Sequence, residues 1–321
     1  MGTLRRYVET VRDNWRDPSF WAEGPSFLWR NVLTAPVRAA GLAAARRGEQ
    51  PLALVESDWD NCILLDACRY DEFVAAFGDR EGTVERRVAP GSQTGAFLDA
   101  TFPPDRSFPD LVYVNGNPRV ATEYTASFHA MDHVWERAWN DEYDTVMPES
   151  MREAALAAVE EYPDKRLFVH MVQPHIPYIG DTADQLPGGA AIQTMRPGAD
   201  DREAKPYAAV KDGAVEPETI RRAYRESLEL AMDAVDELVA QLPGKTVVTA
   251  DHGELLGERA GLRYGEFSAW GHPDRTPVEG LLAVPWWEPP ADERREIVAG
   301  EATAGDRTDA PTDRLEALGY R

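Results

Sequence analysis

The chain has 321 residues, of which 43% are hydrophobic, enough for a sizeable core. It carries 34 basic and 56 acidic residues, and the net charge of −22 argues against binding to nucleic acid or anionic membranes. The 2 cysteines exclude a disulfide scaffold, and the acids are spread along the chain as in halophilic proteins.

The first 50 residues are predicted to form a helical arm outside a main domain that spans residues 51–321. The arm is rich in aromatic residues such as Trp15 and Trp21, but Pro18 interrupts its apolar pattern. This favours packing across the main domain, with a peripheral membrane contact as the alternative. The sequence has no signal-peptide pattern and no run of ~20 apolar residues, so we expect a cytoplasmic protein without a transmembrane segment.

Short apolar runs alternate with amphipathic segments along the main domain. The predicted strands are Asn61–Asp66, Asp110–Val114, Arg166–Val172, Lys245–Ala250 and Leu281–Val284. The predicted helices are Ala67–Gly78, Met151–Glu161, Glu218–Leu242 and Thr312–Leu318. Residues 180–215, which contain several prolines and glycines, are predicted to form a long loop or insertion. The alternation predicts an α/β fold, a mostly parallel sheet with helices on both faces.

Acids and imidazoles follow several of these strands. Asp66 ends the first strand, His175 comes shortly after the third, and Asp251 and His252 follow the fourth. Ligands of open α/β sheets bind beyond the carboxyl ends of the strands, and carboxylate with imidazole binds divalent metals. The pattern predicts a metal site, although a single Asp-His pair is also typical of a helix cap.

Four motifs occur in a characteristic order: Leu65-Asp-Ala-Cys-Arg-Tyr-Asp71, Gln173-Pro-His-Ile-Pro-Tyr178, Thr249-Ala-Asp-His-Gly-Glu254 and Gly271-His272. Over about residues 55–320 the chain resembles the sulfatase-like branch of the alkaline phosphatase superfamily, in an acidic, haloarchaeal-type form. The resemblance implies an alkaline-phosphatase-like core and a bound divalent metal. It also implies hydrolysis or transfer of a phosphate or sulfate ester.

By the matching motifs, the resemblance assigns the metal to Asp66, Asp251, His252 and His272. Zinc, manganese, magnesium and calcium all remain candidates, and the number of ions is open. Glu254 is expected to orient a ligand from behind.

The substrate's charged oxygens are assigned to His175, His272 and Arg69. His175 or His272 could also protonate the leaving group, and His272 could instead complete a second metal site. We expect the remaining histidines, among them His170 inside a strand, to be structural.

The nucleophile is expected at a helix start, where the resemblance places a serine, a threonine or a modified cysteine. Both Ser92 and Thr94 qualify in Ala89-Pro-Gly-Ser-Gln-Thr94, and the spacing favours Ser92, with the other hydroxyl as helix N-cap. Cys68 lacks the Cys-x-Pro-x-Arg pattern for formylglycine, so we expect it to be structural.

The sequence therefore predicts a metal-dependent hydrolase or transferase that acts on a phosphate monoester or diester through a Ser or Thr nucleophile. One alternative is a sulfatase that works without formylglycine. A second is a non-catalytic relative that acts as a binding protein. The substrate could be glycan-linked or lipid-linked, and the oligomeric state is open.

Overall fold

The computed structural model describes residues 47–123, 126–186, 206–259, 268–273, 276–291 and 293–304. The strands are Asn61–Asp66 (β1), Thr83–Val88 (β2), Ser107–Asn115 (β3), Ser127–His133 (β4), Trp139–Asn140 (β5), Thr145–Val146 (β6), Arg166–Pro174 (β7), Thr246–Ala250 (β8), Leu255–Arg259 (β9), Ser268–Gly271 (β10), Ala283–Glu288 (β11) and Thr303–Ala304 (β12). The helices are Tyr70–Phe77 (α1), Thr94–Thr101 (α2), Pro118–Glu123 (α3), Val134–Arg137 (α4), Pro148–Glu161 (α5), Asp181–Asp184 (α6), Pro206–Lys211 (α7), Pro217–Val239 (α8) and Glu279–Leu282 (α9).

Eight strands form one sheet in the order β12-β4-β3-β7-β1-β8-β11-β2. The five consecutive strands from β4 to β8 in that order are parallel, whereas β12 and β11 pair antiparallel with them. The predicted mostly parallel sheet is confirmed. Strand β1 lies near its centre and is buried along its whole length, as expected for a continuous apolar run in a parallel sheet.

The side chains of β1 alternate between two cores. Ile63 and Leu65 face a core that includes residues of α1, α5 and α8. Cys62 and Leu64 face a second core that includes Phe97 of α2. Because a strand presents successive side chains to opposite faces, both faces of the sheet are covered, and the predicted helices on both sides are confirmed.

The antiparallel side of the sheet differs from the sequence prediction. The predicted strand Leu281–Val284 is wrong at its start, because the helical turn α9 precedes β11 there. The amide nitrogens of Leu281 and Leu282 both donate to the carbonyl of Val278, which closes that turn. A short apolar run has the same pattern in a helical turn as in a strand, so periodicity does not separate them.

Three predicted segments lie partly or wholly outside the described residues. They are most of the N-terminal arm, residues 187–205 of the predicted loop, and the helix Thr312–Leu318. The described ends of the loop carry the short helices α6 and α7. No helix in the described part of the chain is long and apolar enough to cross a membrane.

Candidate metal centre

A cluster of two carboxylates and one imidazole lies at the carboxyl ends of β1 and β8. These neighbouring strands pair Leu65 with Ala250, so Asp66 and Asp251 emerge side by side. Asp66, Asp251 and His252 are fully buried, and one ligand atom of each lies within 4.8 Å of the others. The Nε2 atom of His252 is 3.2 Å from Asp251 Oδ2 and 3.8 Å from Asp66 Oδ1.

One oxygen of each carboxylate is held by the protein, and the other is not. Asp66 Oδ2 accepts from the Asn117 amide at 2.9 Å, and Asp251 Oδ1 accepts from the backbone amides of Ala67 and His252. The remaining oxygens, Asp66 Oδ1 and Asp251 Oδ2, are buried without a hydrogen-bond partner among the described residues. Buried polar atoms are nearly always paired, so two orphaned carboxylate oxygens in one cluster indicate a ligand.

The imidazole of His252 is oriented to complete this set. Its Nδ1 lies 2.8 Å from the carbonyl oxygen of Gly253, which can only accept, so Nδ1 carries the proton. Nε2 is then unprotonated, and both orphaned oxygens lie within 3.8 Å of it. Burial, together with the neighbouring His272, holds the pKa of His252 well below its usual value and keeps the ring neutral, the form that binds metals.

The cluster has an unbalanced charge. Burial, together with the negative charge of Asp66, raises the pKa of Asp251 well above its usual value. Burial also opposes the ionisation of Asp66, but the imidazoles of His175, His170 and His252 outweigh it and lower the pKa of Asp66. A divalent cation would compensate the two buried carboxylates, and two oxygens with one imidazole nitrogen suit zinc or manganese.

The two candidate hydroxyls differ in what they contact. Thr94 is fully buried at the first position of α2, and its Oγ1 lies 3.2 Å from His252 Nε2. The Ser92 hydroxyl instead accepts from the backbone amide of Thr276 at 3.4 Å. The structure thus brings Thr94, and not Ser92, into hydrogen-bond distance of the cluster.

The backbone turn that precedes α2 is closely packed against the helix. A Cβ on Gly91 would lie 2.4 Å from the Cβ of Ala96, so the turn accepts only glycine at that position. The N-cap is Gln93, which makes no side-chain capping bond, so the expected capping by Ser92 or Thr94 is wrong.

A second group of ligand-type side chains, His175, Glu254 and His272, lies beside the first. The ring centroid of His272 is 4.6 Å from that of His252 and 5.0 Å from that of His175. His272 Nδ1 contacts Glu254 Oε2 at 3.0 Å, and the hydroxyl of Tyr207 donates to Glu254 Oε1 at 3.2 Å. The predicted site residues that end or follow β1, β7 and β8 therefore lie together with those of the hairpin β9–β10.

The pKa values of the two histidines in this second group are shifted in opposite directions. Burial lowers the pKa of His175. Burial alone would also lower the pKa of His272, but Glu254, with Asp66 and Asp251, outweighs it and raises that pKa. His272 is therefore the imidazole that more readily carries a proton.

The guanidinium of Arg69 is turned toward the protein. It donates to both oxygens of Asp71, to the carbonyl of Glu254 and to Glu258. These bonds connect the start of α1 to the loop that carries Glu254. The side chain therefore braces the second group, and its donors are used within the protein.

Three residues near the site were not expected there. Asn117 lies in the polar turn Asn115-Gly-Asn-Pro118 after β3, a signal that is visible in the sequence. His170 is fully buried with its Nε2 3.5 Å from Asp66 Oδ2. Tyr207 belongs to the segment that the sequence predicts as a loop, and no motif marks it.

The two cysteines are free and buried. Burial raises the pKa of the Cys68 thiol well above its usual value, with help from Asp71 and Glu72. A buried thiol of high pKa is unreactive, as expected for a structural residue.

Comparisons with known proteins give only distant similarity. No family model matches the sequence, and no curated protein matches it. One similar solved structure is the integral membrane lipooligosaccharide phosphoethanolamine transferase A from Neisseria meningitidis, at 12% identity over 88% of this chain and 60% of that one, with a TM-score of 0.45. The chain thus spans about 60% of the length of that transferase.

Two further similar structures have comparable scores. The C-terminal periplasmic domain of EptC from Escherichia coli in complex with zinc shares 11% identity over 76% of this chain and 77% of that one, with a TM-score of 0.43. A protein in the alkaline phosphatase superfamily from Vibrio parahaemolyticus shares 13% identity over 81% of this chain and 69% of that one, with a TM-score of 0.39.

Proposed function

We propose that the chain is a metal-dependent enzyme that hydrolyses or transfers phosphate esters, with Thr94 as its nucleophile. The observation that carries this proposal is the cluster of Asp66, Asp251 and His252, which presents two orphaned carboxylate oxygens and an imidazole lone pair beside a buried hydroxyl. Nucleophile, ligand set and imidazoles in one place are what phosphoryl transfer requires. The sequence motifs that resemble the sulfatase-like branch of the alkaline phosphatase superfamily coincide with this place.

Asp66, Asp251 and His252 would hold the cation. A divalent cation there would supply positive charge that neutralises phosphoryl oxygens and favours ionisation of a neighbouring hydroxyl. Thr94 is the first residue of α2, so the helix fixes the backbone that carries its Oγ1 atom. A helix N-terminus also favours the anionic oxygens of a phosphoryl group.

In this proposal, the Thr94 hydroxyl releases its proton to water and Oγ1 forms a bond to phosphorus, while the bond from phosphorus to the ester oxygen of the leaving group breaks. His272 is the better candidate to protonate that oxygen, because its pKa is raised by Glu254 behind it. His175, whose pKa is lowered by burial, would remain neutral and donate or accept a hydrogen bond at the phosphoryl oxygens. Water or a second alcohol would then release the group from Thr94.

The preference for Thr94 replaces the preference for Ser92 that spacing suggested. Ser92 Oγ is engaged by the Thr276 amide, whereas Thr94 Oγ1 lies against His252. Arg69 is reassigned in the same way, from substrate binding to bracing, because Asp71 and Glu258 occupy its guanidinium.

The test compares p-nitrophenyl phosphate, bis(p-nitrophenyl) phosphate and p-nitrophenyl sulfate, with zinc or manganese added to the metal-free protein. We expect turnover of at least one phosphate ester, its loss on chelation, and its loss in Thr94→Val but not in Ser92→Ala. Turnover of the sulfate alone would favour a sulfatase without formylglycine. If all three esters remain intact with either metal present, the catalytic proposal fails.

A further inference from the structure

A column of polar side chains runs through the apolar face of the sheet behind Asp66. Tyr113 lies on β3, His170 on β7 and Asp66 on β1, which are adjacent strands. His170 pairs with Leu64 of β1, two residues before Asp66, and with Asn115 at the end of β3. Tyr113 belongs to the core on this face, and His170 contacts the rings of both Tyr113 and Phe168 there.

The contacts in this column connect end to end. The hydroxyl of Tyr113 lies 2.7 Å from His170 Nδ1. His170 Nε2 lies 3.5 Å from Asp66 Oδ2, and the Asn117 amide donates to the same oxygen at 2.9 Å. His170 is fully buried, and its Nε2 makes no hydrogen bond of normal geometry among the described residues, so its 3.5 Å contact with Asp66 Oδ2 is a longer polar contact.

We propose that Tyr113 and His170 are positioning residues that fix the tautomer of His170 and, through it, the orientation of the Asp66 carboxylate. In this arrangement the Tyr113 hydroxyl donates to Nδ1, so the ring proton sits on Nε2 and points at Asp66 Oδ2. The opposite tautomer would set the lone pair of Nε2 against a carboxylate oxygen in a buried site, which is unfavourable. With Oδ2 bonded to the Asn117 amide and facing the Nε2 proton of His170 at 3.5 Å, Oδ1 is the oxygen presented to the cluster.

This inference rests on the proposed metal site, because holding one oxygen matters most if the other binds a cation. Groups that orient a metal ligand from behind typically change metal affinity 10–100-fold when they are removed. A histidine that merely fills the core would affect stability and leave metal affinity unchanged. The two roles are therefore separable by measuring both quantities.

The variants are chosen to remove defined polar atoms from the column. Tyr113→Phe removes only the hydroxyl, His170→Phe removes both ring nitrogens, and His170→Gln keeps an amide near the position of Nε2. Leu111→Val is the matched control, since Leu111 is fully buried in the same core on the same strand as Tyr113. Each purified, metal-free variant is titrated with zinc by calorimetry, and its unfolding temperature is measured separately.

We expect zinc affinity to fall about 10–100-fold in His170→Phe and about 10-fold in Tyr113→Phe, with His170→Gln restoring most of the loss. Leu111→Val should lower the unfolding temperature without changing zinc affinity. Unchanged affinity in Tyr113→Phe and His170→Phe would overturn the positioning role.

Nitrogen-15 NMR of His170 in the unsubstituted, metal-free protein gives a second readout that does not depend on the variants folding. We expect the proton on Nε2, and a proton on Nδ1 with a bare Nε2 contradicts the inference. If the unsubstituted chain binds no divalent metal, the proposed function fails. The tautomer of His170 still decides whether Tyr113 and His170 orient Asp66.

Discussion

Two aspartates mark the opposite ends of β1, and both are fully buried. Asp60 precedes the strand, and each of its carboxylate oxygens is paired. Arg294 donates to both oxygens at 2.9 Å, and the backbone amides of Lys245 and Arg295 add 2 further bonds. Although burial opposes ionisation, these donors together lower the pKa of Asp60.

Asp66 ends the same strand in the opposite situation. Its Oδ1 has no hydrogen-bond partner in the described structure, and its nearest acidic neighbour, Asp251, repels it. Among the described residues, an arginine pairs with the aspartate at one end of the strand, and no Lys or Arg contacts Asp66 at the other. A buried carboxylate with an internal counter-charge stabilises the fold, whereas one without it is suited to an external cation.

The largest expected effect comes from comparing two threonine-to-valine substitutions, one at each end of the sheet. Thr94→Val removes the proposed nucleophile and should lower kcat by about 10³-fold or more. The hydroxyl of Thr246, at the amino end, accepts from the Asn61 amide at 3.1 Å. Thr246→Val should cost about 1 kcal/mol of unfolding free energy and leave kcat unchanged. Equal loss of activity in both variants would contradict the division between the two ends.

The two aspartates themselves give the next effect. Asp66→Asn keeps the shape but removes a ligand, so zinc affinity should fall about 100-fold or more. This substitution should cost the metal-free protein less stability than Asp60→Asn does, because the lost interactions with His175 and His170 are offset by the removal of repulsion with Asp251. Asp60→Asn should leave zinc affinity unchanged and cost about 1–3 kcal/mol of unfolding free energy, because the buried hydrogen bonds from Arg294 lose their charged acceptor. Calorimetry and chemical denaturation measure the two quantities, and a stability loss in Asp66→Asn exceeding that in Asp60→Asn would sink the comparison.

A pair of glycines tests how closely the carboxyl end is packed. A Cβ on Gly253 would lie 2.2 Å from the carbonyl oxygen of Gly280, whereas a Cβ on Gly280 meets nothing closer than 3.5 Å. Gly253→Ala should therefore displace His252 and Glu254 and reduce activity about 10–100-fold, since small misplacements cost that much. Gly280→Ala should retain activity within a few-fold. The test is the ratio of the activities of the two variants, measured at the same protein concentration.

The smallest expected effect is on pH dependence. Burial and Asp66 raise the pKa of Asp251, so the metal-free site tends to keep a proton that zinc must displace. Lowering the pH therefore weakens zinc binding, by at most about tenfold per unit for each proton released. Asp60 is already ionised by its arginine, so its contribution to stability should be constant over the same range. Zinc affinity that is independent of pH between 5 and 8 would argue against carboxylate ligands with a raised pKa.

The sequence predicts the strand ends well because parallel strands have a simple pattern. Asp66 and Asp251 could be placed together because both follow buried strands, and β1 and β8 are neighbours in the sheet. The sequence favours Ser92 over Thr94, because spacing does not reveal that the helix begins at Thr94 and that its hydroxyl lies beside His252.

The column behind Asp66 was beyond sequence reasoning for a different reason. The position of His170 inside an apolar strand predicts a core residue, and His170 is fully buried. Its contact with Asp66 depends on the register of β7 against β1 and on the place of Tyr113 on a third strand. Tyr207 reaches Glu254 from a segment without periodicity, so only the folded chain reveals it.

The most direct test of the metal site is thermal unfolding of the metal-free protein while zinc is added. A ligand that binds only the folded state stabilises it by about 2.7 kcal/mol at 100 times its dissociation constant. We predict that the unfolding temperature rises with zinc, that a chelator reverses the rise, and that Asp66→Asn abolishes it. An unfolding temperature that does not respond to zinc or manganese, with no metal bound after dialysis, would contradict the account.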